Sequence, residues 1–359
     1  MSATPLNSLR VLVLGIAVGL LSSCTAPTST TQEPTTTASP AVASADAPKV
    51  VATTTILCDM VRQIAQETVN LTCLLEPGVD GHVYQPVPED RKAIENAQLI
   101  LYSGYDFEPG LIKLIKSTSN PAPKIAVAEK AVPKPLMGHS HAHDESSEKE
   151  KDHDHAHDHD HDHGHADDHA KGEDLPDPHV WQNAANGAQM AAVVTSALTQ
   201  LEPQHKELYT KNGDALKTEL AQIHAWISTQ IETVPANNRK LVTTHDAMQY
   251  FSDAYNIPVS TALQGISTEE KPTATRLKEL VDAVKESGVP MIFPEVVVNP
   301  KLIEAVARDA NVQVSDRTLF TDSIGEPGSK GDTYPRMLIA NTQTIVEGLN
   351  GKFVSFQPQ

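Results

Sequence analysis

The stretch that decides the fold covers residues 203–234, "PQHKELYTKNGDALKTELAQIHAWISTQIETV". Its apolar residues recur at spacings of 4, 3, 4 and 4, which places them on one stripe of a single long helix. They are Leu216, Leu220, Ile223, Ile227 and Ile231. About 30 helical residues span roughly 45 Å, a length better suited to bridging two domains than to lying inside one.

Strand and helix patterns alternate on both sides of this helix. Before it, "KVVATTTIL" and "VNLTCLL" are typical of short buried strands, and "CDMVRQIAQET" between them is typical of a helix. After it, "KLVTTH" and "PVSTAL" predict strands, and "TATRLKELVDAVKESG" predicts a helix ending at a glycine. Short buried strands joined by helices predict parallel sheets. We therefore expect an α/β fold with an N-terminal lobe over 49–202, a rigid backbone helix over 203–234 and a C-terminal lobe over 235–359.

The N-terminus is typical of a targeting segment. The apolar run "VLVLGIAVGLL" is too short to span a bilayer. It ends in "LSSC", which resembles the lipobox of bacterial lipoproteins, in which the cysteine is lipidated and becomes the mature N-terminus. We predict a lipoprotein-type signal peptide over 1–24 with lipidation at Cys24; a plain cleavable signal is the alternative. The Thr/Pro/Ser-rich residues 25–48 predict a flexible tether. The protein is thus expected in the periplasm or on the outer face of the cytoplasmic membrane, held by a lipid anchor.

A histidine-rich segment carries most of the charge. The chain has a net charge of −18, and residues 139–174 hold 13 acidic residues against three lysines. The remainder is mildly acidic, which argues against a nucleic-acid partner. We predict a disordered loop over 139–173, because it has no apolar periodicity.

The alternating His-Asp pattern of this loop predicts overlapping partial metal sites. Each must be ordered on binding, so we expect low affinity. Scavenging, buffering, sensing and mere solubilisation stay open as roles. The accessory candidates are His153, His155, His157, His159, His161, His163, His165 and His169.

Five histidines lie outside the loop. His205 and His224 lie on the long helix among charged residues, where we expect them on the helix surface. His82 and His245 follow predicted strands, one in each lobe, and His179 precedes a helix. Because open α/β sheets bind ligands where strands end, these three could share one metal site in the inter-lobe cleft. Three unrelated, locally hydrogen-bonded histidines are the alternative.

Five motifs carry a family resemblance: "PGVDGHVYQPVPED", "DPHVWQN", "LVTTHDAMQYF", "ISTEEKPTATRLKEL" and "FPEVVVNPK". The sequence resembles the cluster A-I (cluster 9) metal-binding solute-binding proteins of bacterial ABC importers, and more narrowly their zinc-type, ZnuA-like members, over residues 49–351. The resemblance implies two βα lobes joined by a backbone helix. It also implies high-affinity capture of Zn²⁺ by a monomer and delivery to an ABC permease.

The resemblance also implies four ligands. The first two are His82, where Gly81 replaces a common proline, and His179. The third is His245, at a position where manganese-type members tend to carry Glu. Asp322 matches the fourth, although its surroundings look closer to the manganese-type pattern; a turn or cap role for Asp322, with water as fourth ligand, is the alternative.

The donor set favours zinc, with manganese as the alternative. Zn²⁺ accepts three neutral imidazoles and a carboxylate in tetrahedral geometry, whereas two carboxylates would suit Mn²⁺ better. Carboxylates often orient ligating imidazoles. Asp80, Asp177, Asp246 and Glu295 are candidates, although we expect turn or cap roles for them first.

Two cysteines remain besides Cys24. Cys58 and Cys73 would lie in an oxidising compartment, so a disulfide and two buried free thiols are both open.

The sequence has no HExxH, no Ser-His-Asp motif and no Gly-rich phosphate loop, so we do not expect an enzyme. Another alternative to a transport function is a periplasmic zinc buffer or chaperone that works mainly through the histidine-rich loop.

Overall fold

A computed structural model describes residues 46–139, 174–269 and 273–358, all within one compact unit, Val42–Gln359. The signal peptide, Cys24, nearly all of the tether and the eight accessory histidines fall outside the described residues. The expected α/β fold, with parallel sheets and one long helix, is confirmed. The lobe boundaries drawn from the sequence stay a prediction.

The N-terminal lobe is built on a four-stranded parallel sheet with strand order β2-β1-β3-β4. Its strands are β1 Lys49–Ala52, β2 Asn70–Cys73, β3 Leu99–Tyr102 and β4 Lys124–Ala126. Its first helices are α1 Thr55–Ala65, α2 Pro88–Asn96, α3 Pro109–Ser117 and α4 Val127–Ala131. All four strands are parallel and end at the same edge, so the loops that follow them lie along that edge.

The first strand is shorter than its apolar run predicts. "KVVATTTIL" indicates a strand through Leu57, but β1 ends at Ala52 and α1 begins at Thr55. The reason is a helix cap, because the Thr54 hydroxyl accepts a hydrogen bond from the Leu57 amide at 3.3 Å. The expectation that residues 55–57 are strand is therefore wrong.

A short hairpin stands at the base of the histidine-rich segment. Strands β5 Met137–His139 and β6 Asp174–Pro176 pair antiparallel, with His139 opposite Asp174. The predicted loop therefore begins one residue too early, because His139 belongs to the hairpin. Residues 140–173 fall outside the described residues.

The long helix is present and contacts both lobes. It is preceded by α5 Ala184–Leu201 and a 3₁₀ turn at Pro203–His205, and α6 itself covers Lys206–Glu232. Its 27 residues span about 40 Å. The whole predicted stripe is buried, and the helix contacts α1 and α5 as well as the last helix of the chain.

The C-terminal lobe continues the βα alternation with shorter strands. Its strands are β7 Leu241–Thr243, β8 Val259–Ala262, β9 Met291–Ile292 and β10 Gln313–Val314. Its helices are α7 Gln249–Tyr255, α8 Ala274–Ser287, α9 Lys301–Ala310 and α10 Tyr334–Gly348. The strands form two parallel pairs, β7–β8 and β9–β10. One backbone hydrogen bond, from Phe293 to Val242 at 3.2 Å, joins β7 to the chain after β9.

Candidate metal centre

Four buried side chains converge between the lobes. His82 lies in the loop after β2, and His179 lies between β6 and the 3₁₀ turn Val180–Gln182. His245 lies two residues after the end of β7, and Asp322 lies in the loop between β10 and α10. The structure thus brings together the four residues that the family resemblance implies, although they are spread over 241 positions of sequence. Each is at most 5% exposed.

The spacing of the four side chains suits a tetrahedral cation. One donor atom from each lies within 4.8 Å of all the others. The Nε2 atoms of His82 and His179 are 3.3 Å apart, and Asp322 oxygens lie 3.3 Å from His179 Nε2 and 3.2 Å from His245 Nε2. Metal–nitrogen bonds of about 2.0–2.1 Å in tetrahedral geometry require ligand atoms about 3.3–3.4 Å apart.

Two of the imidazoles are oriented by a carboxylate on their far side. His179 Nδ1 lies 2.7 Å from Asp177 Oδ1, and His245 Nδ1 contacts Glu295 Oε2. Glu295 Oε1 also accepts from the backbone amides of Thr244 and His245. In both cases Nδ1 is occupied, so Nε2 is left facing the centre.

Of the four candidate carboxylates, two therefore contact a ring. We expected Asp177 and Glu295 to have only a turn or cap role. That expectation is wrong, because each contacts the Nδ1 atom of an imidazole. Asp80 and Asp246 do have the expected local roles, because Asp80 accepts from the His82 amide and Asp246 accepts from the side chain of Gln249.

The three histidines differ in the direction of their pKa shifts. Burial lowers the pKa of His82 to about 3, and the Asp322 carboxylate offsets only part of that effect. Burial also opposes charge on His179, but Asp177 and Asp322 outweigh it and raise its pKa to about 9. Likewise, Glu295 and Asp322 overcome burial and raise the pKa of His245 well above its usual value.

Asp322 is held as a carboxylate. Burial favours its neutral form, but His245 and His179 lower its pKa well below the usual value. Since ligation needs neutral imidazole, a cation entering this centre has to displace the protons that the imidazoles carry. Neither Asp322 oxygen, nor His245 Nε2, has a well-formed hydrogen bond within the described part of the chain.

Comparison with known protein families shows which family the chain belongs to. The model of the ZnuA family, "Zinc-uptake complex component A periplasmic", matches residues 50–348. The chain belongs to the ZnuA family.

Relatives of this ZnuA-family protein differ in the metal they are named for. The manganese ABC transporter substrate-binding lipoprotein PsaA of Streptococcus mitis is 32% identical over 308 residues, covering 84% of this chain and 89% of its own. The metal ABC transporter substrate-binding lipoprotein ScbA of Streptococcus cristatus is 31% identical over 307 residues, covering 84% and 88%. The periplasmic zinc-binding protein TroA from Treponema pallidum has a TM-score of 0.71 and 29% identity, covering 84% of this chain and 99% of that one.

Membership assigns the general role. This ZnuA-family chain is an extracytoplasmic, metal-binding, substrate-binding protein of an ABC importer, and its family serves transport rather than catalysis. None of the helices in the described ranges combines the length and apolar character needed to cross a bilayer.

Two aromatic side chains, Phe107 and Trp181, pack beside the centre. The Phe107 ring packs against the His82 ring with centroids 4.8 Å apart, and against Trp181 at the same distance. A Cβ at Gly81 would lie 2.7 Å from the Phe107 ring, so glycine at this position leaves room for that contact. Trp181 also donates from Nε1 to the Thr321 carbonyl at 2.7 Å, next to Asp322. Sequence reasoning missed both aromatic residues. The tryptophan in "DPHVWQN", two residues after His179, was the one feature of the sequence that could have indicated this packing.

The remaining sequence candidates lie elsewhere. His205 lies in the 3₁₀ turn that precedes α6, so its predicted place on the long helix is wrong. His224 lies on α6, and its Nδ1 is 3.2 Å from the Tyr255 hydroxyl. Cys58 of α1 and Cys73 of β2 are joined as a disulfide, with Cα atoms 5.9 Å apart. This bond ties α1 to the strand that follows it in the chain.

Proposed function

We propose that this protein captures Zn²⁺ outside the cytoplasm and delivers it to an ABC permease. The observation that supports the proposal is the convergence of three buried imidazoles and one buried carboxylate, whose donor atoms lie within 4.8 Å of one another. His82, His179, His245 and Asp322 are the proposed ligands, with water replacing Asp322 as the alternative. Three imidazoles favour zinc over manganese, which prefers more oxygen ligands.

Manganese is the second candidate, because PsaA relatives are named for manganese. Both ions accept the carboxylate oxygen of Asp322, so that residue does not discriminate between them. His245 favours zinc, because it is an imidazole at the position where manganese-type members tend to carry Glu. Anomalous diffraction at the zinc and manganese edges, on protein purified without chelator, would identify the bound ion directly.

We also propose how the chain is held and what its accessory segment does. Lipidation at Cys24 and a tether through residue 48 would keep a monomer near its permease, as the lipoprotein relatives suggest. The histidines of segment 139–173 would bind further zinc weakly and raise its local concentration near the centre. Their imidazoles would release that zinc as they are protonated near pH 6.5.

Excision of the segment tests which part holds the tight site. Because His139 pairs with Asp174, replacing only residues 140–173 by Asn-Gly keeps the hairpin register. We expect the excised protein to retain one tight zinc in competition titrations with a chromophoric chelator. His82→Ala or His245→Ala in that background should abolish the tight site, because each removes one imidazole from a four-ligand set.

The matched control is His224→Ala, which removes an imidazole on the long helix and should leave zinc affinity unchanged. Loss of tight binding on excision alone would favour the buffer or chaperone function and contradict ours. Metal-dependent turnover of a hydrolase substrate by the loaded protein would instead favour an enzyme.

A further inference from the structure

A segment of the C-terminal lobe lies between two of the ligand loops. We call residues 263–268, which follow β8, the cross-lobe strap. At its start, the amides of Leu263 and Gln264 both donate to the Thr244 carbonyl at 3.1 Å. The Asp246 amide donates to the Gly265 carbonyl at 3.0 Å. The strap is therefore bonded to the backbone on both sides of His245.

The other end of the strap reaches the N-terminal lobe. The Thr268 hydroxyl donates to Asp80 Oδ2 at 2.6 Å, across 188 positions of sequence. The second oxygen of the same carboxylate, Oδ1, accepts from the His82 backbone amide at 3.0 Å. Asp80 thus holds the turn that carries His82, and Thr268 holds Asp80.

The middle of the strap is also fixed. Ile266 is 6% exposed, and a Cβ added at Gly138 would overlap its Cγ2 atom, so Ile266 packs closely on the hairpin of the N-terminal lobe. Gln264 Nε2 donates to the Thr268 carbonyl at 2.9 Å, which ties the two ends of the strap together. Movement of one end is therefore transmitted to the other.

We propose that Thr268 is a positioning residue whose hydrogen bond to Asp80 couples the His82 loop to the His245 loop and slows release of the bound divalent cation. The inference rests on the proposed role of these histidines as ligands. Release requires ligand loops from the two lobes to separate, and this bond joins them through side chains. A hydrogen bond to a carboxylate is strong enough to change a rate by about tenfold.

The test compares side chains that differ in one hydroxyl. Thr268→Val keeps the shape and removes the donor, whereas Thr268→Ser keeps the donor. Full-length protein is loaded with zinc, weakly held zinc is removed on a desalting column, and the remainder is displaced by excess chelator in a stopped-flow instrument. We expect Thr268→Val to release its tight zinc about tenfold faster, with one tight zinc per chain retained.

Thr268→Ser should release zinc at close to the wild-type rate, which a loss of general packing would not explain. The matched control is Thr218→Val on the exposed face of α6, where the hydroxyl bonds only to the Asp214 carbonyl within the same helix. Its release rate should equal that of the wild type.

Two failures are distinguishable. If the wild type shows a slow phase that His82→Ala abolishes, but Thr268→Val releases zinc at the wild-type rate, the coupling role of Thr268 is overturned and the proposed function stands. A Thr268→Ser protein as fast as Thr268→Val overturns it equally. If the wild type has no slow phase at all, the proposed function and this inference both fall.

Discussion

At the scale of single residues, buried carboxylates lie beside two of the three buried imidazoles on both ring nitrogens. His179 and His245 each face a carboxylate from behind and share Asp322 in front. The His82 ring packs edge-on against the Phe107 ring, and burial lowers the pKa of His82 to about 3. The three imidazoles are therefore not equivalent, and His82 is the one already neutral before a cation enters.

Another buried carboxyl group predicts a pH dependence of stability. Glu108 is fully buried, and burial raises its pKa from 4.5 to about 7 although Thr53 and Ser103 donate to it. The folded state thus keeps a proton that the unfolded state releases between these values. The stabilisation is complete below about pH 4.5 and is lost as the pH rises through about 7, an effect of about 3 kcal/mol.

Glu108→Gln should remove this dependence, because the amide does not titrate. We expect the free energy of unfolding of metal-free protein, measured in urea from pH 5 to 8, to fall less steeply with pH than in the wild type. Exposed Glu286→Gln is the control and should follow the wild-type curve. Parallel curves for wild type and Glu108→Gln would show that Glu108 does not cause the effect.

At the scale of elements, the pairing of α5 with α6 decides how the backbone helix sits. Gly213 of α6 lies against Thr195 of α5, where an added Cβ would overlap Thr195 Oγ1. Thr195 Oγ1 is itself bonded to the Ala191 carbonyl at 2.8 Å, so rotating it away would break a hydrogen bond. The glycine that weakens the helix by itself allows the two helices to approach closely.

Gly213→Ala should therefore destabilise the protein, even though alanine favours helix by about 1 kcal/mol. Overpacking costs about 1–3 kcal/mol, so we expect a net loss of about 1 kcal/mol in the free energy of urea unfolding. Adding Thr195→Ala should recover stability, because it removes the overlapping hydroxyl. A single Gly213→Ala variant more stable than the wild type would mean that helix propensity, not packing, governs this position.

At the scale of the whole molecule, α6 packs against both lobes through one buried stripe, while all four proposed ligands lie in loops. A continuous buried helix resists bending, whereas loops between strands and helices move readily. Metal capture and release should therefore involve loop shifts rather than a large hinge rotation.

Hydrogen exchange with and without zinc measures this directly. We expect zinc to increase protection in peptides around the four ligands and the cross-lobe strap, with α6 unchanged. His82→Ala should show no such zinc-dependent protection. Protection changes that spread along α6 would indicate a global rearrangement instead.

Local pattern determined the helices and the alternation of strands. The stripe of α6 was readable because its residues are three or four positions apart. The strands were placed well, but their ends were not, since a single cap at Thr54 decides where α1 begins. The ends of the predicted strands suggested only that three histidines could share a site, and the motif resemblance supplied all four proposed ligands.

Only the tertiary structure decided which groups surround the proposed ligands. Glu295 reaches His245 from 50 residues away, Trp181 reaches Thr321 from 140, and Thr268 reaches Asp80 from 188. Such contacts depend on which strands are neighbours and how the lobes face each other across α6. The sequence encodes short-range periodicity directly, but it encodes contacts of this range only through the packing of the complete chain.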